Sequence, residues 1–293
     1  MTVFPDYYSE FKCKASSCKH NCCIGWEIDI DDDTFEKYST YEGALKQKLT
    51  NCIATKPNKH FILAKDERCP FLNEDNLCEI IIECGEDFLC QICSDHPRFR
   101  NFFEDRTETG LGLCCEKAAE IILSKKEKTT FNYDSDLQTG FFKIREMIYT
   151  ILQDRDFSVD ERIDNLLFFC SLNSPLDTDI DWKKEYLKLE ILNPEWQKLI
   201  SELNFDNSDE NPQLEIPYEQ LLMYLVYRHL SPSVEDGMFS ERLKFIILSY
   251  YVIRSLNKSN SFEELLEIAR MYSAEIEYSD QNINTLLNIL AEA

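Results

Sequence analysis

The sequence predicts a mainly α chain: a cysteine-rich, metal-binding N-terminal half with short strands, followed by a helical bundle. Three observations predict it. Twelve of the 13 cysteines fall between Cys13 and Cys115, and Cys170 alone lies beyond. Two stretches, YEQLLMYLVYRHL (218–230) and SERLKFIILSYYVIRSL (240–256), are long, strongly apolar and free of Gly and Pro. They are too apolar for surface helices and suit the centre of a bundle. Capping-box patterns start two more helices: Ser158 with Glu161, and Ser261 with Glu264. The chain therefore reads as a cysteine-rich region, 1–125, and a helical region, 126–293, with the polar stretch LSKKEKTTFNYDSD (123–136) as the joint.

The elements follow in order. WEIDID (26–31) alternates apolar and acidic residues and reads as a short strand. Asp33, with Glu36 three residues on, is the expected N-cap of a helix from Thr34 to Leu49. HFILA (60–64) reads as another strand, and CEIIIECGEDFLCQIC (78–93) as helical in part. NFFEDRTETGLGLCC (101–115) reads as a hairpin around a polar turn, and CEKAAEIIL (115–123) as a helix. NSPLDTDID (173–181) and NFDNSDENPQLEIP (204–217) are loops, and no internal repeat is visible.

Composition narrows the function classes. The chain has 293 residues, with 54 acidic against 31 basic side chains, a net charge of −23. Such a chain repels nucleic acid and anionic membrane and suits a cationic partner, such as a lysine-bearing protein; the same charge also serves plain solubility. No window of eighteen apolar residues exists, so no membrane span is expected. The start, MTVFPDYYSEFK, lacks a basic segment before an apolar run, so no secretory signal is expected either. The cysteine count is odd and the apolar fraction, 44%, allows an ample core. Thiolate ligands in a reducing cytoplasm fit this better than a disulfide scaffold does.

The thiols come in groups. Cys13, Cys18, Cys22 and Cys23 are spaced C-x4-C-x3-C-C; CPFLNEDNLC holds Cys69 and Cys78; CGEDFLCQICSDHPR holds Cys84, Cys90, Cys93 and His96; Cys114 and Cys115 close the series, with Cys52 between. Thiolates are soft charged donors that bind zinc and iron–sulfur clusters. Side chains of adjacent cysteines tend to diverge, so Cys22 and Cys23 are expected to serve different centres, or one of them to be structural. Only Cys90 and Cys93 form a C-x2-C, so neither a paired zinc knuckle nor a ferredoxin run is present, and spacing leaves the metal open.

The thiol loop followed by GW, then CPFLNEDNLC, then C-x2-H-P-R, then LGLCCEKAA, resembles the bacterial flagellin lysine N-methylases. The first half also resembles the wider group of zinc- or iron-chelating proteins with a CxxCxxCC-type motif. The resemblance implies methyl transfer from S-adenosylmethionine to lysines of flagellin, and a 4Fe-4S cluster in place of simple zinc. It implies as metal ligands Cys13, Cys18, Cys22, Cys23, Cys69, Cys78, Cys93 and Cys114. Cys52, Cys84, Cys90 and Cys170 match no family position; Cys115 stands where proline is common, and His96 where a small or aromatic residue often occurs. The chain has only seven Gly, and its one G-x-G, Gly110 to Gly112, lies in the expected hairpin. A nucleotide-type Gly-rich turn is therefore not expected, and S-adenosylmethionine would need an unconventional site.

Catalytic residues stay unassigned. Lysine methylation needs a neutral amine aligned behind the sulfonium methyl. Trp26, Tyr7, Tyr8 and the run Asp29, Asp31, Asp32, Asp33 suit a lysine pocket in type; the plainer reading is a solvated helix entry with a core Trp. Arg98 and Arg100 could hold a carboxylate or form surface ion pairs. His20 and His96 lie among thiols, whereas His60 and His229 do not. The alternative function is a non-enzymatic zinc- or iron-binding module, acting as metallochaperone, interaction scaffold or zinc-stabilised adaptor.

Overall fold

The structure, a computed structural model, describes residues 1–134, 138–176, 179–205 and 211–292. It is mainly helical with a few short strands. Packing divides it into two compact units, one of Lys12–Arg98 and one of Met1–Phe11 with Phe99–Ala293.

Strand β1 (Thr2–Val3) opens the chain and belongs to the larger unit. The Lys12–Arg98 unit follows. Its helices are α1 (Asp32–Thr40) and α2 (Lys46–Asn51), where the sequence predicts one helix from Thr34 to Leu49. Tyr41 breaks it by turning extended, and its ring packs against Phe88 at 5.3 Å beside Tyr38 at 5.4 Å. The N-cap is Asp31 rather than Asp33: its Oδ1 accepts the Thr34 N–H at 2.9 Å. WEIDID forms no strand, although Ile30 donates to the Lys59 carbonyl and Phe61 to the Ile28 carbonyl. Strand β2 (Ile53–Ala54) pairs antiparallel with β3 (His60–Phe61), so HFILA is strand only at its start. Helices α3 (Glu79–Cys84) and α4 (Gln91–Asp95) complete the unit. Its core is small: Ile28, Ile30, Tyr38, Leu45, Leu49, Phe61, Phe71, Leu72 and Ile80, with Cys69 and Cys90.

In the larger unit the expected hairpin is present as β4 (Arg98–Phe102) and β5 (Thr107–Leu111), in a sheet of order β1-β5-β4 with β1 parallel to β5. The helices are α5 (Glu116–Leu123), α6 (Gly140–Leu152), α7 (Val159–Cys170), α8 (Trp182–Tyr186), α9 (Pro194–Ser201), α10 (Glu215–His229), α11 (Ser233–Asp236), α12 (Phe239–Leu256), α13 (Phe262–Tyr272) and α14 (Asp280–Glu292). The two most apolar segments, α10 and α12, pack on each other at the centre, with α5 against α10 and α14 against α12. Almost every residue of α10 from Pro217 to His229 is buried, which explains why its sequence shows little amphipathic alternation. The Ser158–Glu161 capping box is complete. At Ser261 only half of the box forms: Ser261 accepts from Glu264, but the Glu264 carboxylate takes the Ser259 N–H instead. The loop expectations for 177–178 and 206–210, and the joint at 135–136, lie outside the described residues.

Three buried ionic groups stitch these helices together. Arg145 meets Glu108 and Ser231; Arg155 and Arg162 converge on Glu219; Glu277 accepts from Tyr224 at 2.7 Å and His229 at 2.6 Å. Burial works against the Glu277 carboxylate, yet the charge of Arg228 and the His229 hydrogen bond carry it down to about 2. No described helix is long and apolar enough to cross a membrane.

Candidate metal centre

Three backbone devices gather thiols within the Lys12–Arg98 unit. First, the end of the CKASSCKHNCC loop is zipped to residues 67–69. Gly25 donates to the Glu67 carbonyl, Ile24 bridges Arg68, and Cys69 donates its N–H to the Cys23 carbonyl at 2.8 Å. Gly25 has φ +79, which the glycine of the GW pair permits without strain. Second, CPFLNEDNLC closes on itself: Asn73 and Leu77 exchange bonds, Leu72 bridges Cys78, and Glu79 donates to the Phe71 carbonyl. Asn76 takes the left-handed conformation that Asn tolerates, and Arg68 binds the turn at the Asn73 carbonyl and Asn76 Oδ1. Third, Cys90 caps α4, and the turn it starts brings Cys93 Sγ to 3.4 Å from Cys90 Sγ.

The outcome is one neighbourhood of six thiols, Cys22, Cys23, Cys69, Cys78, Cys90 and Cys93, each within electrostatic reach of others of the set. Cys69 and Cys90 are buried, Cys23, Cys78 and Cys93 half-buried, and Cys22 exposed. Cys22 and Cys23 do not diverge as expected of neighbours, because they share a hydrogen bond. That bond, helped by a second from His96, lowers Cys22 to about 4, while Cys23 keeps the proton and is pushed up. The Cys90–Cys93 hydrogen bond likewise lowers Cys90 and raises Cys93. Burial pushes Cys69 up to about 11. Thiols crowded in this way resist ionisation together, and a bound cation removes that resistance. Among the described residues, no three His, Cys, Asp or Glu side chains stand as a ready-made metal group. The chemistry of the donor set nonetheless fits a thiophilic metal, since soft ligands on three chain segments converge and two of them are out of water.

The remaining implied ligands are placed differently. Cys13 is exposed and accepts the Ala15 N–H, and Cys18 donates to the His20 carbonyl at 3.3 Å. Cys114 belongs to the larger unit. There it is buried beside Tyr278, which hydrogen-bonds it, and burial pushes its thiol up to about 12. Cys90, which matches no family position, and His96, which stands where a small or aromatic residue often occurs, sit among the gathered thiols. The C-x2-C spacing signalled Cys90 in the sequence, and the place of His96 three residues after Cys93 signalled His96.

The other candidates also find places. Asp31 ties two helices, since its Oδ2 accepts the Gln91 N–H at 2.8 Å while Oδ1 caps α1. Against the cost of partial burial, these donors hold its carboxyl below the ordinary range. Asp32 pairs with Lys59. Asp29, Asp31 and Asp32 line an open groove of about 500 Å³ with Thr55, Asn58 and Lys59. Trp26 is not a core residue: it is 37% exposed. Tyr7 is buried in the core of the larger unit. Arg98 donates to the Ser94 carbonyl. The Gly110-x-Gly112 pair lies at β5, where a Cβ at Gly110 would stand 2.4 Å from the Phe99 ring. Glycine there serves ring packing rather than a nucleotide turn.

Comparison with known proteins now bears on this thiol-rich chain. It is 28% identical over 151 residues to the lysine-N-methylases of Salmonella typhimurium and Salmonella choleraesuis. It is 28% identical over 150 residues to the flagellar biosynthetic protein FliU of Salmonella muenchen. The resemblance to the flagellin lysine-N-methylase family holds. Each match covers 47% of this chain; it covers 36% of each lysine-N-methylase and 89% of FliU. The matched stretch thus spans about a third of the lysine-N-methylases' length. No family model matches the chain, and no solved structure matches it.

Proposed function

We propose that this chain is an S-adenosylmethionine-dependent protein-lysine N-methyltransferase that acts on flagellin and holds a 4Fe-4S cluster on its thiols. The kinship with lysine-N-methylases and with FliU carries the methylation and flagellar parts of this reading. The gathering of six thiols in one neighbourhood supports the cluster, and the ligand set proposed from the family pattern is Cys13, Cys18, Cys22, Cys23, Cys69, Cys78, Cys93 and Cys114. S-adenosylmethionine would supply the methyl group as a sulfonium. The chain's own task is to hold a lysine amine neutral and aligned, which favours a site with access to a cationic peptide. A net charge of −23 draws such a peptide in.

The test is direct. Anaerobic purification should yield a brown protein with a band near about 400 nm and stoichiometric iron and sulfide, as thiolate-bound clusters show. Incubation with labelled S-adenosylmethionine and flagellin should place label on lysines, read by peptide mass spectrometry. A colourless protein with zinc alone sinks the cluster. An intact cluster with unlabelled flagellin sinks the methyl transfer. That last outcome favours a second reading, a non-catalytic zinc- or iron-binding module in flagellar biosynthesis, which draws on FliU, whose name carries no activity.

A further inference from the structure

We propose that the open groove of the Lys12–Arg98 unit seats a lysine-bearing segment of a protein partner. The identity of that partner rests on the proposed function; the groove adds where its lysine docks. The groove, of about 500 Å³, runs between residues 29–32, residues 55–59 and α4. Among the described residues, no gathered thiol lines it. Gln91 and Ile92 do, and they stand between Cys90 and Cys93 in the chain. One wall is therefore the turn that presents those two thiols, so a docked segment lies beside the metal centre and apart from its ligands. Of the residues that suit a lysine pocket in type, Asp29, Asp31 and Asp32 line the groove, while Asp33, Trp26, Tyr7 and Tyr8 lie outside it.

The lining chooses the occupant. Its walls are largely apolar: Ile30, Pro57 and Ile92, the last 48% exposed. They suit the methylene stem of a lysine, which packs on apolar surface while its charged end stays in water. The three carboxylates have different duties. Asp31 is spent inside the fold, with Oδ1 on the α1 cap and Oδ2 on the Gln91 N–H. Asp32 pairs with Lys59. The Asp29 carboxylate is exposed and meets no donor among the described residues. Lys59 shows how the groove holds an ammonium: besides Asp32, it stands 4.5 Å from the centroid of the Phe35 ring. A carboxylate and an aromatic face are both surfaces that attract a cation. An incoming lysine finds Asp29 open and competes with Lys59 for Asp32. An anionic segment gains neither contact, and the net charge of −23 repels it.

The experiment titrates fluorescein-labelled flagellin peptides, each with one lysine, into the anaerobically purified full chain and reads anisotropy. Each peptide is paired with its acetyl-lysine form. Wild type stands beside Asp29→Asn/Asp32→Asn, Lys59→Gln and Glu202→Gln/Glu235→Gln; the last removes the same charge from exposed positions of the larger unit. Lysine peptides should bind more tightly than their acetylated forms. Their affinity should fall about fivefold or more in Asp29→Asn/Asp32→Asn, the scale of two lost exposed ion pairs. It should hold in Glu202→Gln/Glu235→Gln and rise about twofold in Lys59→Gln, which frees Asp32 and removes a like charge. Equal affinity for both peptide forms overturns the groove, and so does equal loss in the two charge-removal variants. Self-association that Asp29→Asn/Asp32→Asn abolishes assigns the groove to a second copy and also overturns it. Groove-dependent peptide binding without flagellin labelling leaves the docking site standing and overturns methyl transfer. Flagellin labelling with an unchanged KM in Asp29→Asn/Asp32→Asn does the reverse. Should that variant not fold, carbodiimide coupling on the wild type decides: peptide lysine should couple to Asp29 ahead of Glu202 and Glu235, and even coupling overturns the groove.

Discussion

The two units of this chain bury unlike things. The helical unit encloses a dense core of Leu, Ile, Tyr and Trp, and its buried charges answer one another: Glu108 with Arg145, Glu219 with Arg155 and Arg162, Glu277 with His229. The Lys12–Arg98 unit encloses few apolar side chains, and two of its eleven buried core residues are cysteines. A unit of that size has little core from which to draw stability, and small domains commonly depend on a metal or cross-link. The difference teaches that the helical unit rests on apolar packing and paired charges, whereas the core of the thiol unit is partly made of cysteine side chains.

The contrast can be broken, largest effect first. On the proposed metal-bound reading, chelation under anaerobic conditions should open the thiol unit and leave the helices intact, because a structural metal contributes on the order of 10 kcal/mol. Hydrogen exchange would show lost protection across residues 12–98 with unchanged protection in α10 and α12; equal loss in both units would remove the distinction. Next, Glu108→Ala strands the buried Arg145 guanidinium and should lower stability by about 3–5 kcal/mol in denaturant titration. Leu225→Ala, at the fully buried centre of α10, should cost about 2–5 kcal/mol by leaving a cavity. Both substitutions should leave metal content untouched.

A smaller effect appears in acid. The Glu277 carboxyl titrates at about 2 in the folded chain against an ordinary value of 4.5. A depressed folded value means that its stabilisation is fully present above about 4.5 and is lost as pH falls toward 2. Glu277→Gln should flatten that part of the stability–pH curve, and an unchanged slope would refute the assignment. Smallest of all, Asp31→Ala should cost about 1 kcal/mol through the lost α1 cap, read by thermal melting, and should loosen the thiol unit alone.

Much of the helical unit was legible in the sequence. Long apolar runs free of Gly and Pro have one solution in water, a buried helix, so α10 and α12 were predicted with good bounds. The Ser158 box was legible because its bonds are local. The thiol unit was harder to read. Four aspartates, Asp29 and Asp31 to Asp33, compete for the cap of α1 on nearly equal local terms. Asp31 wins because Gln91, sixty residues away, offers its second oxygen a donor. The helix expected to run to Leu49 stops at Thr40 because Tyr41 leaves it to pack against Phe88, a contact no local pattern announces.

The sequence by itself determined which side chains could bind a metal, since thiol chemistry and spacing belong to the residues. It also determined that a bundle follows, since hydrophobic pattern and capping act within a few residues. Only the tertiary structure decided which thiols meet. Cys69 reaches Cys23 through a backbone bond between distant segments, Cys90 and His96 join the gathering, and Cys114 packs in the other unit beside Tyr278. The reason is physical. A ligand's identity is carried by one residue, but its convergence with others depends on turns and packing that close over the length of the unit.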